Sequence, residues 1–292
     1  IEPENADAHH NLANTYRQQK RLNLAARHEE LAHQINPELK NAGNFLVQMY
    51  REMANWTGIQ RFGSELTKLG ISGDSVSPFP MLLAEDKPAN QLARSINHAT
   101  NSKDDDQKAK STKTILDDFV SPVRSGGKLK LGYFSEDFRD HPVLHLLMGI
   151  LREHDRSSFE LYGYSSGRVG ECAMREQAKG YFDVFTDINE MSNADVIKLA
   201  RGHQLDVVIN LNGYTGRPRN EIFAHRVAPV QINYLGFPST MGADFMDYIV
   251  ADKVIIPEEY QQYYSEKVLY LPDVYLPNDD KREVANTNTS RS

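Results

Sequence analysis

A chain of 292 residues with 40% hydrophobic content is long enough to bury a core and to form about two domains. Its formal charge of −7 argues against a phosphate backbone as a broad partner, so no nucleic acid is expected to bind. The single cysteine, Cys172, excludes a disulfide framework, no apolar run reaches the roughly 18 residues of a membrane span, and no signal peptide opens the chain. These features predict a cytoplasmic protein that engages no membrane.

The first segment, 1–37, reads as a tetratricopeptide repeat. Ile1 and Pro3 recur as Ile35 and Pro37, a spacing of 34 positions, which is the period of that helix-turn-helix unit. Ala8, Leu12, Ala13, Tyr16, Ala25 and Ala32 fall where the pattern wants apolar residues. His9 and Glu29 stand where aromatic residues are common, which suggests a terminal repeat with one face unpacked. Because the sequence starts inside this unit, further chain is expected before it.

Residues 38–98 continue as helices. Phe45, Met49, Tyr50, Met53, Trp56, Ile59, Phe62 and Leu66 recur at helical spacing, with Trp56 expected in the core, and a last helix starts near Pro88. From 99 to 127 the chain is rich in Lys and Asp and poor in apolar residues, which reads as a solvated linker ending at Gly126 and Gly127. Residues 281–292 form a polar tail.

Between 128 and 280 strands and helices alternate, which predicts an α/β lobe with a mostly parallel sheet and helices on both faces. Strands are predicted at 129–134, 159–164, 184–185, 206–211, 230–235, 248–250 and 268–271. Helices are predicted at 141–154, 171–180, 192–203 and 219–223. No GxGxxG fingerprint, GxxxxGK[ST] loop or GxSxG elbow is present, so a dinucleotide dehydrogenase, a P-loop NTPase and an α/β-hydrolase are not supported.

The stretch 130–151, KLGYFSEDFRDHPVLHLLMGIL, organises this lobe: an apolar strand runs through a tight loop into an amphipathic helix. Asp140 is read as the N-cap and Pro142 as the first helical residue. Ser135 to His141 would then lie at the carboxyl end of a strand beside the positive end of a helix, where open α/β sheets place ligands. The loop carries Asp137, Asp140 and His141, and His145 follows one turn later. His141 and His145 also have metal-ligand spacing, but no third ligand is recognisable and no metal is expected. Two further loops follow strands. NGYTGRPRNEIFAHR, 212–226, offers Asn212, Thr215, Arg217, Arg219 and Arg226, either to an anion or to ion pairs that stabilise the loop. LGFPSTMG, 235–242, offers glycines that permit close backbone approach to a ligand.

SEDFRDHPVLHL (135–146), NLNGYTGRPRNEIFAHRVAPVQINYLGFPSTMG (210–242), MDYIVAD (246–252) and YSEKVLYLP (264–272) resemble the amino-terminal catalytic lobe of the protein O-GlcNAc transferases and the related SPINDLY proteins. These are tetratricopeptide-fused glycosyltransferases of the GT-B type. The resemblance implies one Rossmann-like lobe, with the second lobe absent from this sequence. It implies transfer of N-acetylglucosamine, with inversion, from UDP-GlcNAc to Ser/Thr hydroxyls of protein or peptide acceptors reached through the repeats, without a cofactor. It also implies that the present sequence is inactive alone. Carried over, His141 matches the histidine beside the donor phosphates and Asp137 the aspartate that supports it, which makes both catalytic candidates. Pro142, His145, Asp140, Leu235 and Gly236 match substrate-binding positions, the last two lining the sugar pocket, and Asn212 and Thr215 join them as candidate pocket groups. Asp140 and Val143 depart from the asparagine and threonine of the animal enzymes, which leaves donor sugar and acceptor choice open. The alternatives are a peptide-binding scaffold with an inactive lobe, or a transferase for fucose or glucose.

Overall fold

The structure is a computed structural model and describes residues 3–282 except 38, 40–41, 62, 64–66, 105–125, 169 and 171. Most of the predicted linker and of the polar tail therefore lies outside the described residues. Two compact units divide the chain, one built from 1–111 with 239–244 and 259–266, the other from the remainder.

The first unit is helical. α1 (Ala6–Gln18) is capped by the Asn5 carboxamide, which accepts from the Ala8 N–H at 2.9 Å, and a turn through Lys20 with φ of +59° leads into α2 (Leu22–Ile35). The two pack through Ala13, Ala25, Ala26 and Ala32, whose small side chains let the helices approach closely. His9 and Glu29 are 7% and 1% exposed, so the face expected to be unpacked is covered. A polar cluster takes the place of the usual aromatic contacts: His9 stacks on His28 with their Nδ1 atoms 2.9 Å apart, and His10 meets Glu29 at 2.7 Å. α3 (Ala42–Glu52) and α4 (Trp56–Arg61) follow. Trp56 is 61% exposed, contrary to expectation, because Tyr50, Leu46 and Met49 already fill the core beside α2 and leave α4 with no buried residue.

α5 (Pro78–Met81) and α6 (Pro88–Asp104) follow. α6 runs six residues past the division expected at 98, held there by a buried Ala99 and by Asn97 and Asn101, whose carboxamides both donate to the Gly73 carbonyl. The segments 239–244 and 259–266 also belong to this unit and are tied to each other by Glu266, which accepts from Thr240 Oγ1 and the Met241 N–H, each at 2.6 Å.

The second unit is a seven-stranded sheet, parallel throughout, in the order β3-β2-β1-β4-β5-β6-β7. Its strands are β1 (Leu129–Ser135), β2 (Phe159–Ser165), β3 (Val184–Asp187), β4 (Val207–Asn210), β5 (Val230–Asn233), β6 (Tyr248–Ala251) and β7 (Lys267–Tyr270), matching all seven predicted. The crossover helices are α7 (Pro142–Glu153), α8 (Ala173–Lys179), α9 (Asn193–His203) and α10 (Glu221–Ala224). The core joins Leu131, Leu161 and Ile209 of the sheet to Leu144, Leu147 and Leu151 of α7, each such side chain contributing about 1.5–3 kcal/mol by burial. The chain winds outward from β1 through β2 to β3, then returns to lay β4 on the other side of β1. Strand order therefore reverses between β1 and β4, the switch point at which open α/β sheets form a ligand crevice outside the carboxyl ends of the strands.

Candidate active site

The β1–α7 turn is built into that crevice and held from several sides. Phe138, 1% exposed, is driven between Phe182 and Phe185 at ring distances of 5.5 and 5.4 Å, so a buried aromatic anchors the middle of a polar loop. The Arg175 guanidinium donates to the Phe138 carbonyl at 2.9 Å and to Ser165 Oγ at 2.8 Å, and it also pairs with Asp187. Ser135 Oγ accepts from the Asp137 N–H at 2.9 Å.

His141, not Asp140, is the N-cap of α7, with φ −153° and ψ 145°. Pro142 at the first helical position disfavours helical dihedrals at the residue before it, so residue 141 must be extended and the cap falls there. His141 Nδ1 accepts from the Val143 N–H at 3.3 Å, which places the proton of the neutral imidazole on Nε2. Asp137 Oδ1 lies 3.6 Å from the same Nδ1, beyond hydrogen-bond reach, while Arg139 donates to that oxygen at 3.0 Å. The Asp137 side chain is 5% exposed and that of His141 32%, so the acid is enclosed and the histidine reaches solvent.

Asp140 and His145 face outward. They pair at 2.8 Å with the Asp140 side chain 81% exposed, so Asp140 serves as partner of His145 and not as a cap, and His145 is not a core residue. Both line a cleft of about 750 Å³ with Arg139, Arg168, Cys172 and Gln177. Pro142 is exposed at the head of the helix.

The β4–α10 loop supplies the other wall. Asn210 Oδ1 accepts from the N–H groups of Asn212 and Gly213 at 3.1 and 3.0 Å, and its amide donates to Asn220 at 2.9 Å. Asn212, 6% exposed, accepts from the Glu136 N–H and donates to Asp137 Oδ2, both at 2.8 Å. Thr215 Oγ1 donates to the Asn212 carbonyl at 2.8 Å. Both groups expected in a ligand pocket are thus engaged within the protein. The arginines of this loop are engaged as well. Arg219 donates to Asn193 and to the carbonyls of Ile188 and Met191, and Arg226 grips Asp247 through two nitrogens. Arg217, exposed, lies 3.9 Å from Glu136. Arg219 and Arg226 thus stabilise the loop, the second of the two readings, while Arg217 keeps most of its side chain in solvent.

Leu235 and Gly236 follow β5. Leu235 has a φ of +77° and the Gly236 N–H bonds to the Tyr234 carbonyl at 3.1 Å, which closes a γ-turn of the strained kind around a non-glycine residue. A Cβ on Gly236 would stand 2.0 Å from the Leu211 carbonyl oxygen and 3.5 Å from Asn212 Cα, so only glycine lets this turn press against the β4 loop. Asp137, His141, Asn212, Thr215, Leu235 and Gly236 are brought together, whereas Asp140 and His145 stand on the cleft side. Sequence reasoning missed Ser135, Arg139, Asn210 and Arg175. Of these only Asn210 had a signal, an Asn-x-Asn-Gly run ending a strand. Among the described residues no group of three or more His, Cys, Asp or Glu side chains is arranged to hold a metal ion, and no helix is long and apolar enough to cross a membrane.

Comparison with known proteins gives a consistent picture. The probable UDP-N-acetylglucosamine–peptide N-acetylglucosaminyltransferase SEC of Arabidopsis thaliana is 38% identical over 162 residues, 55% of this chain and 17% of that protein. The corresponding Caenorhabditis elegans transferase is 37% identical over 158 residues, 54% of this chain and 14% of its own length. The probable transferase SPINDLY of Arabidopsis thaliana is 27% identical over 166 residues, 56% of this chain and 18% of that protein. The chain thus spans under a fifth of the length of these curated relatives. A solved mutant of the Thermobaculum terrenum O-GlcNAc transferase shares the fold with a TM-score of 0.65 at 23% identity, covering 95% of this chain and 52% of that one. The sequence profile of Glycosyl transferase family 41 matches residues 93–289, which take in the whole sheet and every candidate residue above, and the chain belongs to that family.

Proposed function

We propose that this chain is part of a glycosyltransferase that moves N-acetylglucosamine from UDP-GlcNAc to Ser/Thr hydroxyls of protein acceptors with inversion. The reading is supported most by one coincidence: the family match spans the crevice between β1 and β4, where His141 caps α7 with its Nε2–H free to meet an anion. In such a transfer the bond from the acceptor oxygen to the sugar C1 forms as the bond from C1 to the diphosphate breaks, the hydroxyl proton passes to a phosphate oxygen or to water, and negative charge collects on the leaving group. His141 would donate Nε2–H to that charge, aided by the helix N-terminus on which it sits. Asp137, enclosed beside Nδ1, would stabilise the imidazolium if one forms. The γ-turn at Leu235 and Gly236 would present backbone to the sugar, with Pro142, Asp140 and His145 toward the acceptor. The acceptor polypeptide would arrive along the α1–α2 repeat, and the reaction would take place in the cytoplasm without metal or nucleic acid.

The test is a transferase assay on the native full-length protein with radiolabelled UDP-GlcNAc, UDP-glucose and GDP-fucose. His141→Ala is expected to lower turnover with UDP-GlcNAc at least about a hundredfold, and Asp137→Asn by less, because an amide still accepts a hydrogen bond. Unchanged turnover in His141→Ala, or transfer from another donor in preference, contradicts the reading.

A further inference from the structure

Asn212 stands as a candidate pocket amide, yet both ends of its carboxamide are taken. Its oxygen must face the Glu136 N–H, which can only donate, so its nitrogen must face the Asp137 carboxylate, which accepts. The reverse orientation would set two donors against each other at Glu136 and two acceptors at Asp137, each at 2.8 Å. The side chain is 6% exposed and its backbone is fixed in turn, its N–H held by Asn210 Oδ1 and its carbonyl by the N–H and hydroxyl of Thr215. A rigid residue of the loop after β4 therefore reaches across the switch point and holds the turn leaving β1.

The consequence falls on Asp137. Asn212 takes Oδ2 from one side and Arg139 takes Oδ1 from the other, which locks the carboxylate rotation and leaves Oδ1 as the oxygen nearest His141 Nδ1. Without the Asn212 donor, the side-chain hydrogen bond that remains on the Asp137 carboxylate comes from an arginine whose own side chain is 49% exposed.

We propose that Asn212 is a positioning residue, which acts on the reaction through Asp137 and His141 and does not touch the substrate. The inference rests on the transferase reading and extends it. Asn212→Asp is the sharp variant, since its carboxylate keeps an acceptor for the Glu136 N–H and loses the donor to Asp137; Asn212→Ala removes the donor without adding charge and serves if the first variant fails to fold.

Kinetics on the native full-length enzyme, with folding checked by near-ultraviolet circular dichroism, test it. Either variant is expected to lower kcat about tenfold or more while KM for UDP-GlcNAc and for a peptide acceptor stays within about twofold. Combined with Asp137→Asn, it should add little beyond the slower single variant. A raised KM for either substrate, or multiplicative losses in the double variant, overturns the proposal. If Asp137→Asn alone leaves turnover intact, the transferase role of Asp137 fails. The positioning claim is then judged by imidazole 15N spectra of His141: a changed pattern in Asn212→Asp upholds it, and an unchanged one overturns it.

Discussion

At the scale of single residues, the site is defined by groups that tolerate no added atom or no lost one. Gly236 is the clearest case, because the Cβ of alanine would sit 2.0 Å from a backbone oxygen that is itself part of the β4 loop. Backbone cannot move aside as a flexible side chain can, so Gly236→Ala is expected to destabilise the lobe by about 2 kcal/mol or more through overpacking and to lower activity with it. Gly202 is the control: nothing lies within 4 Å of its Cβ position and it sits within α9, so Gly202→Ala is expected to stabilise by about 0.5–1 kcal/mol. Paired urea titrations measure both, and equal effects would contradict the close-approach argument. Asn212 carries the opposite lesson. Its loop position suggested ligand contact, and its carboxamide makes two bonds of 2.8 Å, to Glu136 and Asp137, so a lost atom there would leave both groups without that partner.

At the scale of elements, the β1–α7 turn depends on an aromatic that a polar loop buries among its own supports. Phe138→Ala is expected to cost about 3–5 kcal/mol, the range for emptying a buried phenylalanine site, and Phe138→Leu less. Thermal melts decide this, and a loss under about 1 kcal/mol would mean that the turn is held by Arg175 and Ser135 alone. The crossover helices share a second device. His154 at the end of α7 meets the Tyr133 hydroxyl of β1 at 2.7 Å, and His203 at the end of α9 meets the Tyr164 hydroxyl of β2 at 2.6 Å. Burial lowers both imidazoles below the ordinary histidine range, with the cations of Arg156 and Lys130 adding to it. Both are therefore neutral in the fold and protonate in the unfolded chain below about pH 6.5, where the unfolded state binds the extra protons. Stability of the sheet unit is expected to be full above neutral pH and to fall as pH drops from about 7 toward 5. Denaturant midpoints at pH 7.5 and 5.5 check the sign, and a midpoint that rises on acidification contradicts it.

On the scale of the whole molecule, the chain does not divide at one point along its length. The segments 239–244 and 259–266, late in the sequence, pack with the helices of 1–111. Gly242 comes so close to the backbone of Ser95 and Ile96 in α6 that a Cβ there would stand 2.3 Å from the Ile96 nitrogen. Deleting residues 1–104 is accordingly expected to raise hydrogen exchange in 239–244 and 259–266 while β1, β2 and β4 stay protected. Exchange unchanged in those two segments would show that Thr240 and Glu266 suffice to order them.

The order of seven strands and their helices was legible in the sequence because each strand is a short β-prone or apolar run and each crossover helix has an apolar face, and both patterns are local. The family resemblance was legible for a similar reason, since motifs such as SEDFRDHP keep their spacing whatever surrounds them. What neighbours decide was not legible. The Pro142 rule moved the cap from Asp140 to His141, and competition for core space left Trp56 in solvent although its spacing matched a buried face. Asn212 meets Asp137 75 positions away, Arg219 meets Asn193 at 26 and Arg226 meets Asp247 at 21, so only the folded chain could bring these polar groups to their partners within the protein.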